Sequence, residues 1–177
     1  MARVPYVTEE EHPELADLIG RFKAGRRGNL INIYRMLLNS PALAETWFTH
    51  ANTVRWKTEL MGRLRELVVI RVGYLNRCAY VLRQHIPKLA LADGVSEAEC
   101  AALADWSASD LFAATERAAL AYTDAMTRDI DVSDAAFEVL RPHFSERQIV
   151  ELTVLIATYN MLTRILQALQ VDLEPAP

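Results

Sequence analysis

Three side chains in one stretch of the sequence could carry chemistry: Glu66, Cys78 and His85. A carboxylate beside an imidazole is a general acid–base unit near neutral pH, and a thiol can serve as a nucleophile. On one straight helix, Glu66 and Cys78 would lie ~18 Å apart along the axis and could not cooperate. A break near Gly73–Asn76 solves this by folding a second helix back against the first, with Asn76 as its expected N-cap. Cys78 then sits in the first turn of that helix, where the helix N-terminus favours an anion and is expected to lower the thiol pKa. Cys78, Val81 and His85 follow at steps of three and four and share a face. Plainer readings stand beside these. Cys78 can be an inert core thiol and His85 a hydrogen-bonded core residue. Glu66, set among Leu64, Leu67, Val68 and Val69, needs a partner if buried, and Arg65, Arg71 or Arg147 would make it purely structural.

Other chemistries find little support. His12, His50, His85 and His143 are scattered, with no HExxH or CxxC spacing, so neither a metal nor another cofactor is expected. No Gly-rich phosphate loop is present. The net charge is −4, and the basic cluster Lys23, Arg26 and Arg27 is interrupted by Gly25 and reads as a solvated helix end. A nucleic-acid partner is therefore not expected. Two cysteines, Cys78 and Cys100, are too few for a disulfide framework. The first twenty residues carry Glu9, Glu10, Glu11 and Asp17 without an apolar run, and no apolar stretch reads as long enough to span a bilayer. A cytoplasmic chain without a leader or membrane partner is the expectation.

The elements that must position the chemistry read as helices throughout. Residues 13–23 form a helix ending at Gly25. Leu30, Ile31, Ile33, Tyr34, Leu37 and Leu38 mark an apolar helical face. Ser40-Pro41 opens a further helix through Trp47, His50 and Val54. Gly62 separates it from residues 64–74, which are apolar on most sides and so belong in the core. A helix over 76–91 carries Pro87 as a kink or early stop. Ser96 and Glu99 form a capping box. Helices follow over 115–128, 133–140 and 145–170. No stretch alternates with a period of two. The prediction is an all-α bundle of seven to nine helices in one domain, residues 1–171, with a flexible tail at 172–177. Residues 66–70 (ELVVI) echo 151–155 (ELTVL), with Asn76 and Asn160 following at nearly equal distances. Either two buried helices share a common pattern, or two similar helices pack about a pseudo-twofold axis.

These residues resemble the carboxymuconolactone decarboxylase / alkylhydroperoxidase D family. The resemblance rests on residues 64–72 (LRELVVIRV), the Cys twelve after the Glu, and the His seven after the Cys. It extends to residues 29–40 (NLINIYRMLLNS), 116–127 (ERAALAYTDAMT) and 143–152 (HFSERQIVEL), and to Tyr159-Asn160-Met161. The resemblance implies an AhpD-like helical bundle that assembles as homo-oligomers: dimers, trimers or hexamers. The family's peroxidase branch uses Glu, Cys-x-x-Cys and His. By position, Glu66, Cys78 and His85 match, but the second Cys falls on Val81, so Cys78 would need Cys100 or an external thiol to resolve a sulfenic acid. Members with fewer cysteines carry roughly Tyr-Glu-Trp before the His. Here Tyr80 fits, while Val81 and Leu82 replace the other two.

Three functions follow from the resemblance and the residues. One is a cofactor-free acid–base enzyme, carboxymuconolactone decarboxylase-like, acting on a small organic acid or lactone. His85 would be its acid, and Arg83, Arg71 or Arg77 would hold a carboxylate. Another is an AhpD-like thiol peroxidase, of peroxiredoxin type, with a single active-site Cys. The third is a non-catalytic oligomeric protein that binds a small ligand between Tyr80, Val81, Leu82 and the helix over 149–162. Trp47, Trp56 and Trp106 supply apolar surface for association of subunits.

Overall fold

The computed structural model describes residues 1–25 and 28–175. Among them are nine α-helices and no strand. A short 3₁₀ turn, Pro13–Leu15, leads into α1 (Ala16–Ala24). Then come α2 (Asn32–Leu37), α3 (Pro41–Trp56), α4 (Gly62–Leu75) and α5 (Ala79–Gln84). A π-helical segment, His85–Ala90, continues α5 without a loop. After α6 (Glu97–Ala102) and a 3₁₀ segment (Leu103–Ala108) come α7 (Ala114–Arg128), α8 (Asp134–Glu138) and α9 (Glu146–Ala168).

The all-helical class and the number of α-helices agree with the periodicity of the sequence, and the exceptions have local causes. Gly62 is the first residue of α4 rather than a separator. Ser40 occupies the N-cap of α3, but its side chain makes no capping bond. Ser96 and Ser145 do close capping boxes, with Glu99 and Gln148. The 3₁₀ segment Leu103–Ala108, broken at Asp105 (φ −143°, ψ 69°), has no counterpart in the sequence reading. Pro87 lies in the π segment, where the absent N–H and the ring are accommodated by the wider helical turn. Arg26 and Arg27 of the basic cluster, and Ala176 and Pro177 of the tail, lie outside the described residues.

Helix α4 is the central rod. It packs against α5, α7, α9, the π segment and the 3₁₀ segment. Leu67, Val68, Val69, Ile70 and Val72 are fully buried, each contributing roughly 1.5–3 kcal/mol of apolar transfer. The all-round apolar pattern of residues 64–74 has this placement as its cause. At Gly73 the approach of α5 is close. A Cβ there would lie 2.9 Å from Leu82 Cδ2 and 3.3 Å from Val81 Cγ1.

Helix α9 packs against α3, α4 and α7. By length and composition it could cross a membrane, which corrects the expectation that no apolar stretch is that long. Its face toward those three helices carries Leu152, Leu155, Ile156 and Leu166, all buried, as in a core helix. The helices that carry the two echoed segments, α4 and α9, pack against one another, and Asn76 Nδ2 donates to Asn160 Oδ1 at 2.9 Å.

The segment read as a flexible tail is held in place up to Glu174. The Asp172 carboxylate accepts from Tyr6 O–H and the Ala2 N–H. Asn32 Nδ2 donates to the Asp172 carbonyl at 3.1 Å, and Glu174 Oε1 accepts from the Asn32 N–H at 2.8 Å.

Candidate functional site

The chain does reverse between α4 and α5. The Cys78 N–H bonds to Gly73 O and the Arg77 N–H to Tyr74 O, the two bonds of a Schellman turn. Arg77 takes the left-handed position, φ 52°. Asn76 is the C-cap of α4, not the N-cap of α5; its side chain turns to Asn160 and Thr163 on α9. Cys78 is the N-cap of α5, and its side chain makes no capping bond.

The reversal brings His85, at the end of α5, onto Glu66, near the start of α4. Nδ1 of His85 lies 2.5 Å from Oε2 of Glu66. Glu66 is completely buried and accepts two further charged bonds on Oε1. Arg55 Nη2 is at 3.2 Å and Arg65 Nε at 3.5 Å. Arg55 comes from the last turn of α3, and its Nη1 donates to the Tyr159 hydroxyl on α9 at 2.7 Å. Arg65 also reaches Asp93 at 2.7 Å. Burial alone would raise the Glu66 pKa. The His85 hydrogen bond and the charges of His85, Arg55 and Arg65 outweigh it and hold the carboxyl below its ordinary range. Glu66 is therefore ionised, and the His85 Nδ1 carries the shared proton.

Of the three expected partners of Glu66, only Arg65 serves. Arg71 forks onto Asp124 with both contacts at 2.6 Å, and Arg147 pairs with Glu59 and Glu151 on the surface. Arg55 and Thr158 were not singled out by the sequence reading, and Tyr159 entered it only through the resemblance, without a role at the site. Arg55 lies in an amphipathic helix far from the motif, and only its burial at 5 % exposure marks it.

His85, Arg55 and Tyr159 line an internal pocket of about 80 Å³. Its walls add Tyr34, Trp47, Val54, Val81, Leu89 and Leu162, so it is aromatic and apolar around one polar corner. The Tyr159 ring meets the His85 ring edge-on, with centroids 5.5 Å apart. Tyr80 and Val81, expected to touch a ligand, do line this pocket. Leu82 does not; it packs under Gly73 and on the second core cluster, beside Leu67 and Ile70.

Cys78 stands apart. It lines a different, outward crevice with Arg77, Tyr80, Leu166 and Gln170, and is 2 % exposed. Burial pushes its thiol pKa up, against weaker lowering by the Tyr80 and Val81 N–H groups, so the expected lowering by the helix N-terminus is reversed. Cys100 lies in the second core cluster, also with a raised pKa from burial. Among the described residues no group of His, Cys, Asp and Glu could hold a metal.

Residues 41–125, which include Glu66, Cys78, Val81 and His85, match the model of the carboxymuconolactone decarboxylase family. The protein YdfG of Bacillus subtilis is 32% identical over 103 residues, which cover 57% of this chain and 69% of YdfG. The chain belongs to the carboxymuconolactone decarboxylase family. Among solved structures, this family member superposes on a protein of unknown function from Agrobacterium tumefaciens, provisionally described as the antioxidant defence protein AhpD. The TM-score is 0.74 with 30% identity, covering 80% of this chain and 97% of that one. It shares its fold with an uncharacterised peroxidase-related protein from Ralstonia eutropha described as an alkylhydroperoxidase AhpD core. There the TM-score is 0.82 with 18% identity, covering 98% and 92%. The carboxymuconolactone decarboxylase and AhpD descriptions thus meet on one helical fold.

Proposed function

We propose that this chain is an acid–base enzyme that moves a proton at a small organic acid or lactone, with His85 as the exchanging group. The observation that carries this reading is the 2.5 Å contact between Glu66 and His85 Nδ1 at the polar corner of an otherwise apolar pocket. Glu66 fixes the tautomer, so the Nε2 side of the ring exchanges the proton with a ligand. The imidazolium formed when Nε2 accepts a proton is stabilised by the carboxylate behind it. Arg55 and the Tyr159 hydroxyl stand beside it, where negative charge on a carbonyl or carboxylate oxygen would develop. The apolar walls exclude water and strengthen each of these interactions. The reaction needs no redox step.

The names of the similar proteins favour a thiol peroxidase. The position of Cys78 does not, because it lies outside the pocket, carries a raised pKa and has Val81 where a resolving cysteine would stand. A purely ligand-binding role would use the same pocket without proton transfer. Homo-oligomeric assembly and a cytoplasmic setting complete the proposal; the exposed ring of Trp56 lies under Arg55 and Arg65, where a second subunit could cover it.

The test is proton exchange at carbon, followed by deuterium incorporation from solvent into a panel of lactones and short organic acids. His85→Gln is expected to slow exchange by about 10²-fold or more. Exchange that persists unchanged in His85→Gln sinks the reading.

A further inference from the structure

Helix α9 is apolar on two opposite faces, yet only one of them has a partner. The inward face carries Leu152, Leu155, Ile156 and Leu166, all buried. The outward face carries Val150, Val154, Ala157 and Met161, all exposed. A helix apolar all round normally lies inside a core. Here only 44 % of the most apolar eighteen-residue stretch is buried. The four exposed residues follow at steps of four, three and four, the seam spacing of a two-stranded coiled coil. They run ~16 Å along the helix.

The charges beyond the two ends of this stripe indicate what covers it. Glu146 and Arg164 are exposed and stand eighteen residues apart, five full turns, so both lie on one edge of the stripe. Neither makes an ion pair among the described residues. Arg164 Nη1 donates only within its own helix, to the carbonyl and the side-chain oxygen of Asn160 at 2.8 and 2.9 Å. Arg147, on the other edge, is already held by Glu59 and Glu151.

We propose that this face joins two copies of the chain, with their α9 helices antiparallel about a twofold axis that passes between Leu155 and Ile156. In that register Val150 faces the partner's Met161, Val154 faces the partner's Ala157, and Glu146 comes beside the partner's Arg164 at each end. A twofold contact needs a self-complementary surface, and this one is self-complementary in both size and charge. Parallel pairing would instead set like charges together at both ends. Because α9 also supplies Thr158, Tyr159 and Leu162 to the inner pocket, the contact braces a wall of the site from behind. The inference rests on the homo-oligomeric assembly proposed above, gives it a surface, and is independent of the acid–base reading.

The experiment is sedimentation equilibrium of the full chain, with the folding of each variant checked by circular dichroism. The wild type is expected to dimerise. Val154→Lys puts two like charges beside the axis and weakens association about a hundredfold. Glu146→Arg and Arg164→Glu each weaken it about tenfold. An equimolar mixture of these two variants regains wild-type affinity, because the mixed pair has one arginine against one glutamate at each end. A wild-type monomer at about 100 μM overturns the assembly and this face together. A monomer that sediments with phosphatidylcholine/phosphatidylglycerol vesicles overturns them too, and assigns the face to lipid. An oligomer left intact by Val154→Lys, or a mixture that does not regain affinity, overturns this face alone.

Discussion

Asn76 on α4 and Asn160 on α9 hydrogen-bond directly, Nδ2 to Oδ1 at 2.9 Å. The contact is part of a small network. Asn76 also donates to Thr163 Oγ1 at 2.8 Å, and Asn160 Nδ2 donates to Thr127 Oγ1 on α7 at 2.9 Å. It pins the end of α4, where the chain reverses, to the longest helix. Replacing either asparagine by alanine is expected to cost about 1–3 kcal/mol, because it strands partly buried donors and acceptors. A double-mutant cycle read by urea unfolding should give a coupling of about 0.5 kcal/mol or more. Strict additivity would show that the contact does not hold the turn.

Glu66 makes stability depend on pH in a defined direction. Its pKa in the fold lies below the unfolded value of 4.5. Its contribution is thus fully present above that unfolded value and fades as pH falls through the lower folded one. Glu66→Gln leaves Arg55 and Arg65 without this buried carboxylate and should lower stability at pH 7 by about 3–5 kcal/mol. The gap between wild type and variant should narrow between about pH 5 and pH 3, measured by urea unfolding at each pH. A constant gap across that range contradicts the assignment.

The thiols should be quiet. Cys78 and Cys100 are 2 % and 1 % exposed, and burial raises both pKa values. Both should react slowly with a disulfide reagent in the folded protein and quickly after denaturation. Cys78→Ala should cost about 1 kcal/mol and leave proton exchange within about twofold. Stoichiometric sulfenic acid at Cys78 under dilute peroxide would reopen the peroxidase reading.

Arg77 holds a backbone conformation that suits glycine. At φ 52° its Cβ is strained, and Arg77→Gly should be neutral or stabilising by up to about 1 kcal/mol. Arg77→Val should destabilise by more than that, because a β-branched residue resists the left-handed region. Thermal unfolding of the two variants gives the order directly.

Much of this was legible from residue types. The all-round apolar pattern of residues 64–74 announced a core rod, and the need to bring Glu66 to Cys78 and His85 demanded a reversal near Gly73–Asn76; the reversal occurs, but only His85 meets Glu66. The capping box at Ser96 followed from the spacing of Glu99. What stayed hidden depends on tertiary placement. Arg55 became a partner of Glu66 because α3 ends against α4, a fact no local pattern carries. Cys78 and His85 differ in surroundings because α5 gives way to a π segment after one and a half turns, so two residues on nominally one face line separate spaces.

The Tyr80–Glu174 bond joins a pocket wall to a residue three places from the chain's last one, while Asp172 grips Ala2 and Tyr6 near its first. Residues 172–174 thereby tie the Ala2–Tyr6 segment and a wall of the pocket into one span of chain. A substitution at Glu174 that removes its carboxylate releases the Tyr80 hydroxyl, so the shape of the cavity is tuned by a residue outside its lining.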